Sequence, residues 1–230
     1  MNLTLYTHPL ASFCHKVLIA LYENGTEFRP VTVDLGDPIS AGALLEKWPV
    51  GKIPVLQDAA RERTVPETSI IIEYVQRHYP GPVLLLPADE ESRLDARLWD
   101  RFFDLYVSVP MQKIVTDRLR PAGGNDPAGV ADARRSLDTA YAMIEAQLKG
   151  RTWATGEVFT IADCAAAPAL FFASIVHPFD SGQPNLAGYF ERLLERPSFR
   201  RVLAEARPYF SMFPYREAMP ERFLREEALT

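Results

Sequence analysis

Residues 48–56 read Trp48-Pro49-Val50-Gly51-Lys52-Ile53-Pro54-Val55-Leu56. The stretch joins a proline-glycine turn to an apolar strand, and a second proline stands where that strand opens. Proline carries no N–H and is confined to strand starts and edges. A cis Ile53–Pro54 bond would turn the Ile53 backbone outward, leaving its N–H and C=O open to an extended peptide paired like an added strand. A plain turn before a strand fits the same residues.

Outward from this stretch the first eighty residues alternate strand and helix signals. Residues 2–7 read as a strand. Phe13 to Asn24 places Val17, Leu18, Leu21 and Tyr22 at helical spacing, with Gly25 as the stop. Glu27 to Asp34 alternates as a second strand, and Ile53 to Gln57 is the third. A polar turn at 58–62 leads to a fourth at Arg63–Val65, and Thr68 to His78 reads as a helix turning Ile70, Ile71, Tyr74 and Val75 inward. The order β-α-β, a connecting stretch, then β-β-α implies a mixed α/β layer containing one hairpin.

Pro80-Gly81-Pro82 breaks that pattern, and residues 80–88 read as a linker. Beyond it strand signals nearly vanish. Glu91 to Thr116 is a long amphipathic helix, interrupted or kinked near Pro110. Ala128 to Lys149 is a second, capped near Asp126 and stopped at Gly150. Ile161 to Val176 is apolar nearly all round and should lie at the centre. Two shorter helices follow at 185–196 and 198–206, then an aromatic, proline-rich tail from Pro208.

The chain of 230 residues is 47% hydrophobic and 24% charged, a globular balance rather than a disordered or membrane one. Its net charge of −5 speaks against nucleic acid, which demands a basic surface. The apolar run Ala165 to Val176 is too short to span a bilayer, and no basic segment ahead of an apolar one marks a signal peptide. Two cysteines, Cys14 and Cys164, make no disulfide framework, so the cytoplasm is the expected compartment. The histidines 8, 15, 78 and 177 show no metal spacing, and no metal is expected.

Two further segments carry chemistry. The loop Thr7-His8-Pro9-Leu10-Ala11-Ser12-Phe13-Cys14 enters the first helix, where unpaired N–H groups and the helix dipole stabilise an anion such as a thiolate. From the residues alone, Ser12 reads first as a plain cap and Cys14 as a small core residue. Pro66-Glu67-Thr68-Ser69 opens the next helix with a carboxylate and a hydroxyl. Glu67 would meet the ammonium of an amino-acid head group and Thr68 its carboxylate; an ordinary capping arrangement reads equally well.

In combination these motifs resemble the cytosolic glutathione transferases over nearly the whole chain. Residues 48–56 resemble that family's cis-proline segment, and Pro66-Glu67-Thr68-Ser69-Ile70-Ile71-Ile72-Glu73-Tyr74-Val75 is similar to its E-S-x-A-I-x-x-Y-L segment. Phe159-Thr160-Ile161-Ala162-Asp163 resembles its helix-capping box, with Thr160 and Asp163 satisfying each other's backbone donors. The resemblance implies a thioredoxin-like α/β N-terminal domain at 1–80 and an all-α domain at 88–230. It implies glutathione as co-substrate, with Ile53 (ahead of Pro54) on the cysteinyl backbone, Glu67 and Thr68 on the γ-glutamyl end, and Lys52 near the glycyl carboxylate. It also implies a homodimer packed through the long helices, and a small hydrophobic electrophile as second substrate.

Ala11 stands where many members of that family place a catalytic serine or cysteine. The sequence reading therefore favours Ser12 over Cys14 as the group that activates the thiol, with a backbone N–H as the alternative. A glutathione-dependent thiol–disulfide oxidoreductase using Cys14, and a non-catalytic binding or scaffold protein, are the rival functions. Phe102, Phe103, Tyr106 and Met111 read either as core or as the electrophile pocket, and Arg97, Asp100, Arg101 and Asp104 as a solvated or interface face.

Overall fold

The computed structural model describes residues 2–225. Four strands form one mixed sheet: β1 (Leu3–Thr7), β2 (Arg29–Thr32), β3 (Val55–Asp58) and β4 (Arg63–Pro66), in the order β2-β1-β3-β4. β1 runs parallel to β2, with Tyr6 opposite Val31, and antiparallel to β3, with Leu5 opposite Leu56. β3 and β4 form the hairpin, with Leu56 opposite Val65. β1, β2 and β3 are shorter than expected and β4 runs one residue further, to Pro66; β3 begins after Ile53 and Pro54, whose peptide bond is cis.

Helix α1 (Ser12–Glu23) packs one face on α3 (Thr68–His78) and the other on the helical layer. In α3 the buried residues are Thr68, Ile71, Ile72, Tyr74 and Val75, whereas Ile70, expected inside, is 54% exposed. The apolar triplet at 70–72 left the facing ambiguous by one position. The connecting stretch contains a helix the sequence reading did not find, α2 (Pro38–Leu45), capped by Asp37 through the N–H groups of Ile39 and Ser40. Leu44 is its only buried residue, so it lacks the apolar stripe from which helices are read.

From Glu90 the elements are helical, apart from one bridge between Trp153 and Gly156. The long helix expected at 91–116 is three pieces: α4 (Glu90–Phe102), a wide π-type turn (Phe103–Ser108) and α5 (Val109–Asp117). The interruption precedes Pro110, as its chemistry requires. Pro110 has no N–H for the carbonyl one turn back, and the Val109 N–H reaches back to Asp104 O instead. Next come α6 (Pro127–Gln147), capped by Asp126, and α7 (Ile161–Val176). α7 is central: every residue but Ser174 is buried, and it packs against α1, α4, α5 and α8 (Pro184–Glu195).

The expected capping box at the start of α7 is present, with Thr160 N–H donating to Asp163 Oδ2 at 2.8 Å. The fully buried Asp163 also accepts from Ala154 N–H (2.9 Å) and Tyr189 Oη (2.6 Å), which ties α7 to α8. After α9 (Pro197–Ala206) the tail forms short 3-10 turns and a last helix, α10 (Glu221–Leu224). Phe210, Phe213, Tyr215, Met219 and Phe223 bury against the rest, and Arg118 holds the tail by donating to Pro214 O at 2.8 Å. One apolar core runs from Leu3 to Phe223 through both layers; a small second cluster of Val33, Leu44 and Val55 packs with Trp48 and Ile53. Among the described residues no helix is long and apolar enough to cross a membrane.

Candidate functional site

The site forms where the start of α1, the cis-proline turn and the start of α3 meet the π-type turn and α5. A cavity of about 210 Å³ is lined by Ile53, Pro54, Glu67, Thr68, Arg101 and Asp104, together with Phe13, Trp48, Lys52, Leu105, Val109 and Gln112. Every residue expected to hold the tripeptide is thus brought together. A second cavity of about 470 Å³ adjoins it, sharing Phe13, Lys52, Ile53 and Gln112 and adding His8, Leu10, Ala11, Val33 and Leu35.

Glu67 precedes α3 at φ 68, ψ 121, a left-handed conformation that costs a non-glycine residue about 1–3 kcal/mol. Its side chain makes no capping bond, so the carboxylate stands exposed beside the free first-turn N–H groups of α3. Thr68 is buried at the base. Behind it, Ser69 Oγ accepts from Lys16 Nζ (3.0 Å) and donates to Asp100 Oδ2 (2.5 Å).

Lys16 is itself buried, 2.6 Å from Asp100 Oδ1 and 2.7 Å from Asp104 Oδ2, and Arg101 meets the same Asp104 oxygen at 3.0 Å. Burial raises the Asp104 pKa, against the pull of Lys16. This corrects the expectation of a solvated face. Arg97 and Arg101 are half exposed, but Asp100 and Asp104 lie inside because α1 supplies their counter-charge.

The first turn of α1 closes one end. Its N-cap is Ala11, which has no side chain to cap with, so the Ser12 and Phe13 N–H groups lack both an intrahelical and a side-chain acceptor. Ser12 is 4% exposed and Cys14 fully buried; neither lines the two cavities, whereas Ala11 and Phe13 do. Burial pushes the Cys14 thiol up to about 11. Gln112 of α5, which the sequence reading missed, lines both cavities, with Nε2 3.5 Å from Ser12 Oγ. It lies 100 positions from Ser12, a pairing that no local pattern signals.

His8 also lines the larger cavity. Its Nδ1 accepts from Leu10 N–H at 3.1 Å, so the neutral ring carries its proton on Nε2. Burial lowers its pKa, partly opposed by Asp34, and favours that neutral form. Phe102, Phe103 and Met111, read as either core or pocket, are core; Tyr106 is exposed, and none of the four lines either cavity. Among the described residues no cluster of His, Cys, Asp and Glu has the makings of a metal site.

Comparison with known proteins covers both layers. Residues 5–83 match the family model described as glutathione S-transferase, N-terminal domain, and 127–192 the model of its C-terminal domain. The chain is 25% identical to glutathione S-transferase GstB of Escherichia coli over 87% of this chain and 97% of that protein. It is 26% identical to a stringent starvation protein A homolog of Coxiella burnetii, over 89% and 92%. A glutathione S-transferase from Methylobacterium radiotolerans, solved in complex with glutathione sulfonate, is 31% identical with a TM-score of 0.77, covering 88% of this chain and 94% of that one. Sheet, helical layer and matched segments agree: the chain belongs to the glutathione S-transferase family.

Proposed function

We propose that the protein is a glutathione transferase that binds the tripeptide in the smaller cavity and presents its thiolate to a small hydrophobic electrophile in the larger one. The observation that carries this reading is the meeting of Ile53, Pro54, Glu67 and Thr68 on one cavity wall beside the open first turn of α1. Residues 1–80 then form the glutathione-binding domain and most of the larger cavity as well, while the helical half completes the cleft through Arg101, Asp104 and Gln112 and gives the larger cavity Gln112 alone. The cysteinyl backbone pairs with Ile53, the γ-glutamyl ammonium meets Glu67, its carboxylate meets Thr68 and the α3 N–H groups, and Lys52 takes the glycyl carboxylate.

In this reading the sulfur lies over the first turn of α1. The unpaired N–H groups of Ser12 and Phe13 and the Gln112 amide stabilise the thiolate, which lowers the thiol pKa. The Ser12 hydroxyl acts from behind, through its contact with Gln112. Cys14 is inaccessible and its thiol stays protonated, so the oxidoreductase reading lacks an attacking group. Ala11 favours one rival, a binding protein without turnover, because it leaves α1 with no exposed side-chain donor at that position.

A homodimer belongs to the proposal. Leu94, Leu98, Leu105 and Val109 recur along α4, the π-type turn and the start of α5, each between 44% and 62% exposed. Such a stripe suits burial against a second copy. A cytoplasmic location is also proposed, in keeping with two free, buried cysteines. The deciding experiment is calorimetric titration with glutathione followed by conjugation of 1-chloro-2,4-dinitrobenzene. Absence of saturable glutathione binding overturns the proposal; binding without turnover selects the non-catalytic rival.

A further inference from the structure

The larger cavity holds a polar side chain that the proposed activation of the thiol does not use. His8 lines it together with Ala11, Phe13 and Gln112. The His8 carbonyl accepts from Ala11 N–H at 3.0 Å, and this tight turn sets residue 8 next to the first turn of α1.

The imidazole has one role open to it. Nδ1 is taken up by Leu10 N–H at 3.1 Å, so the ring cannot serve as the base that ionises a thiol; it has a proton to offer at Nε2. Among the described residues nothing accepts that proton. Nε2 is not one of the buried unpartnered atoms either, so it is open to a ligand. The Leu10 bond and the Tyr209 ring, edge-on at 6.3 Å between centres, hold the imidazole in place. A donor fixed in advance is worth most where negative charge develops during a reaction.

The surroundings restrict what that donor can meet. Leu10, Phe13, Val33 and Leu35 supply apolar wall, while Lys52 and Asp34 offset one another's charge. A volume of about 470 Å³ suits a neutral ligand of aryl size. We infer that His8 is the specificity-determining residue of the second-substrate site, donating from Nε2 to the oxygen of a conjugated carbonyl compound and favouring such electrophiles over alkyl halides. The inference rests on the glutathione transferase reading. Attack of the thiolate forms the sulfur–carbon bond at the β-carbon and moves the double-bond pair towards the carbonyl oxygen. His8 Nε2–H stabilises that oxygen as it becomes an enolate, and water supplies the proton that completes the adduct at the α-carbon. An alkyl halide passes its electron pair to the departing halide, a weak acceptor, and gains less from the same donor.

The test compares kcat/KM for trans-4-phenyl-3-buten-2-one and for benzyl bromide, both at saturating glutathione, in the full chain and its His8 variants. Loss of glutathione binding or of thiolate would lower both rates alike, whereas loss of the donor lowers their ratio. His8→Phe should reduce the enone-to-bromide ratio by about thirtyfold, less than a fully enclosed oxyanion donor because His8 is partly exposed. His8→Gln, which keeps an N–H at similar reach, should bring the ratio back to within about threefold of the parent. His8→Leu replaces His8→Phe if the latter fails to fold by circular dichroism. An unchanged ratio in the folded variant, or no recovery in His8→Gln, overturns the inference. Glutathione binding without enone turnover in the parent overturns it while leaving the tripeptide site standing; absence of glutathione binding in calorimetry removes the underlying reading as well.

Discussion

Lys16 Nζ lies 2.7 Å from Asp104 Oδ2, and that aspartate belongs at once to the buried boundary between the layers and to the wall of the proposed glutathione cleft. Lys16→Met leaves the buried Asp100 without a counter-charge and Asp104 with only the half-exposed Arg101, expected to cost about 3–5 kcal/mol in urea unfolding. Asp104, whose pKa burial already raises, escapes the cost by taking up a proton, so the loss should be larger at mildly alkaline than at mildly acidic pH. Adding Asp100→Asn and Asp104→Asn to Lys16→Met should restore part of the stability. An unchanged urea midpoint in Lys16→Met would show that the cluster contributes nothing.

Glu67→Ala should weaken glutathione binding by about 1.5–3 kcal/mol, the value of a hydrogen bond to a charged group. Removing the side chain also relieves nothing at φ 68, since alanine is no better suited to that conformation. Fold stability should therefore stay nearly constant while calorimetric affinity drops. Equal affinity of variant and parent would displace the head group from this end of the cleft.

Three variants at the sulfur end separate the sources of activation. Gln112→Ala should lower turnover by about tenfold, roughly 1.4 kcal/mol in barrier, and raise the pH at which bound thiolate appears. Ser12→Ala should do less, and Cys14→Ala should leave both readouts in place. Loss of turnover on Cys14→Ala alone would restore the thiol-exchange function.

Acid should weaken the fold through His15. Its pKa is near 6.5 when unfolded and about 4 when folded, so the unfolded chain binds the extra proton. The neutral-ring contribution is whole above 6.5 and is lost as pH falls towards 4, about 3 kcal/mol in all. A His15→Leu chain that folds should show a shallower decline in melting temperature across that interval. An identical pH profile would mean that another group carries the acid sensitivity.

The exposed leucine stripe gives the assembly test. Leu98→Glu places a charge in the middle of the proposed contact, and sedimentation should change from dimer to monomer mass with little change in helical content. A parent chain that already sediments as a monomer at micromolar concentration removes the dimer from the proposal.

The sequence made β1 legible because its burial alternates, and α7 because it is apolar all round. It also made the capping box at Thr160 and Asp163 legible, since that motif is local. α2 escaped because it buries Leu44 alone. The wall of the smaller cavity was readable where it comes from three short, ordered motifs, Lys52-Ile53-Pro54, Glu67-Thr68 and the start of α1. Arg101, Asp104 and Gln112 complete it from the helical half, and only packing brings them there. Asp100 and Asp104 looked like solvent-facing charges because their partner, Lys16, stands more than eighty positions away.

The unbroken core has a consequence for how such chains can be recombined. α1 presents Leu18, Ile19 and their neighbours to α7 and α9, and sets Lys16 into the same boundary as the buried partner of Asp100 and Asp104. A chimera cut at the Pro80-Gly81-Pro82 joint would set this face against a foreign partner. To be accepted, the donor half must bring matching bulk opposite α1 and two carboxylates at the height of Lys16. The halves are joined by a short, permissive tether, yet they are not interchangeable modules: what one half can become is constrained by a surface that belongs to the other.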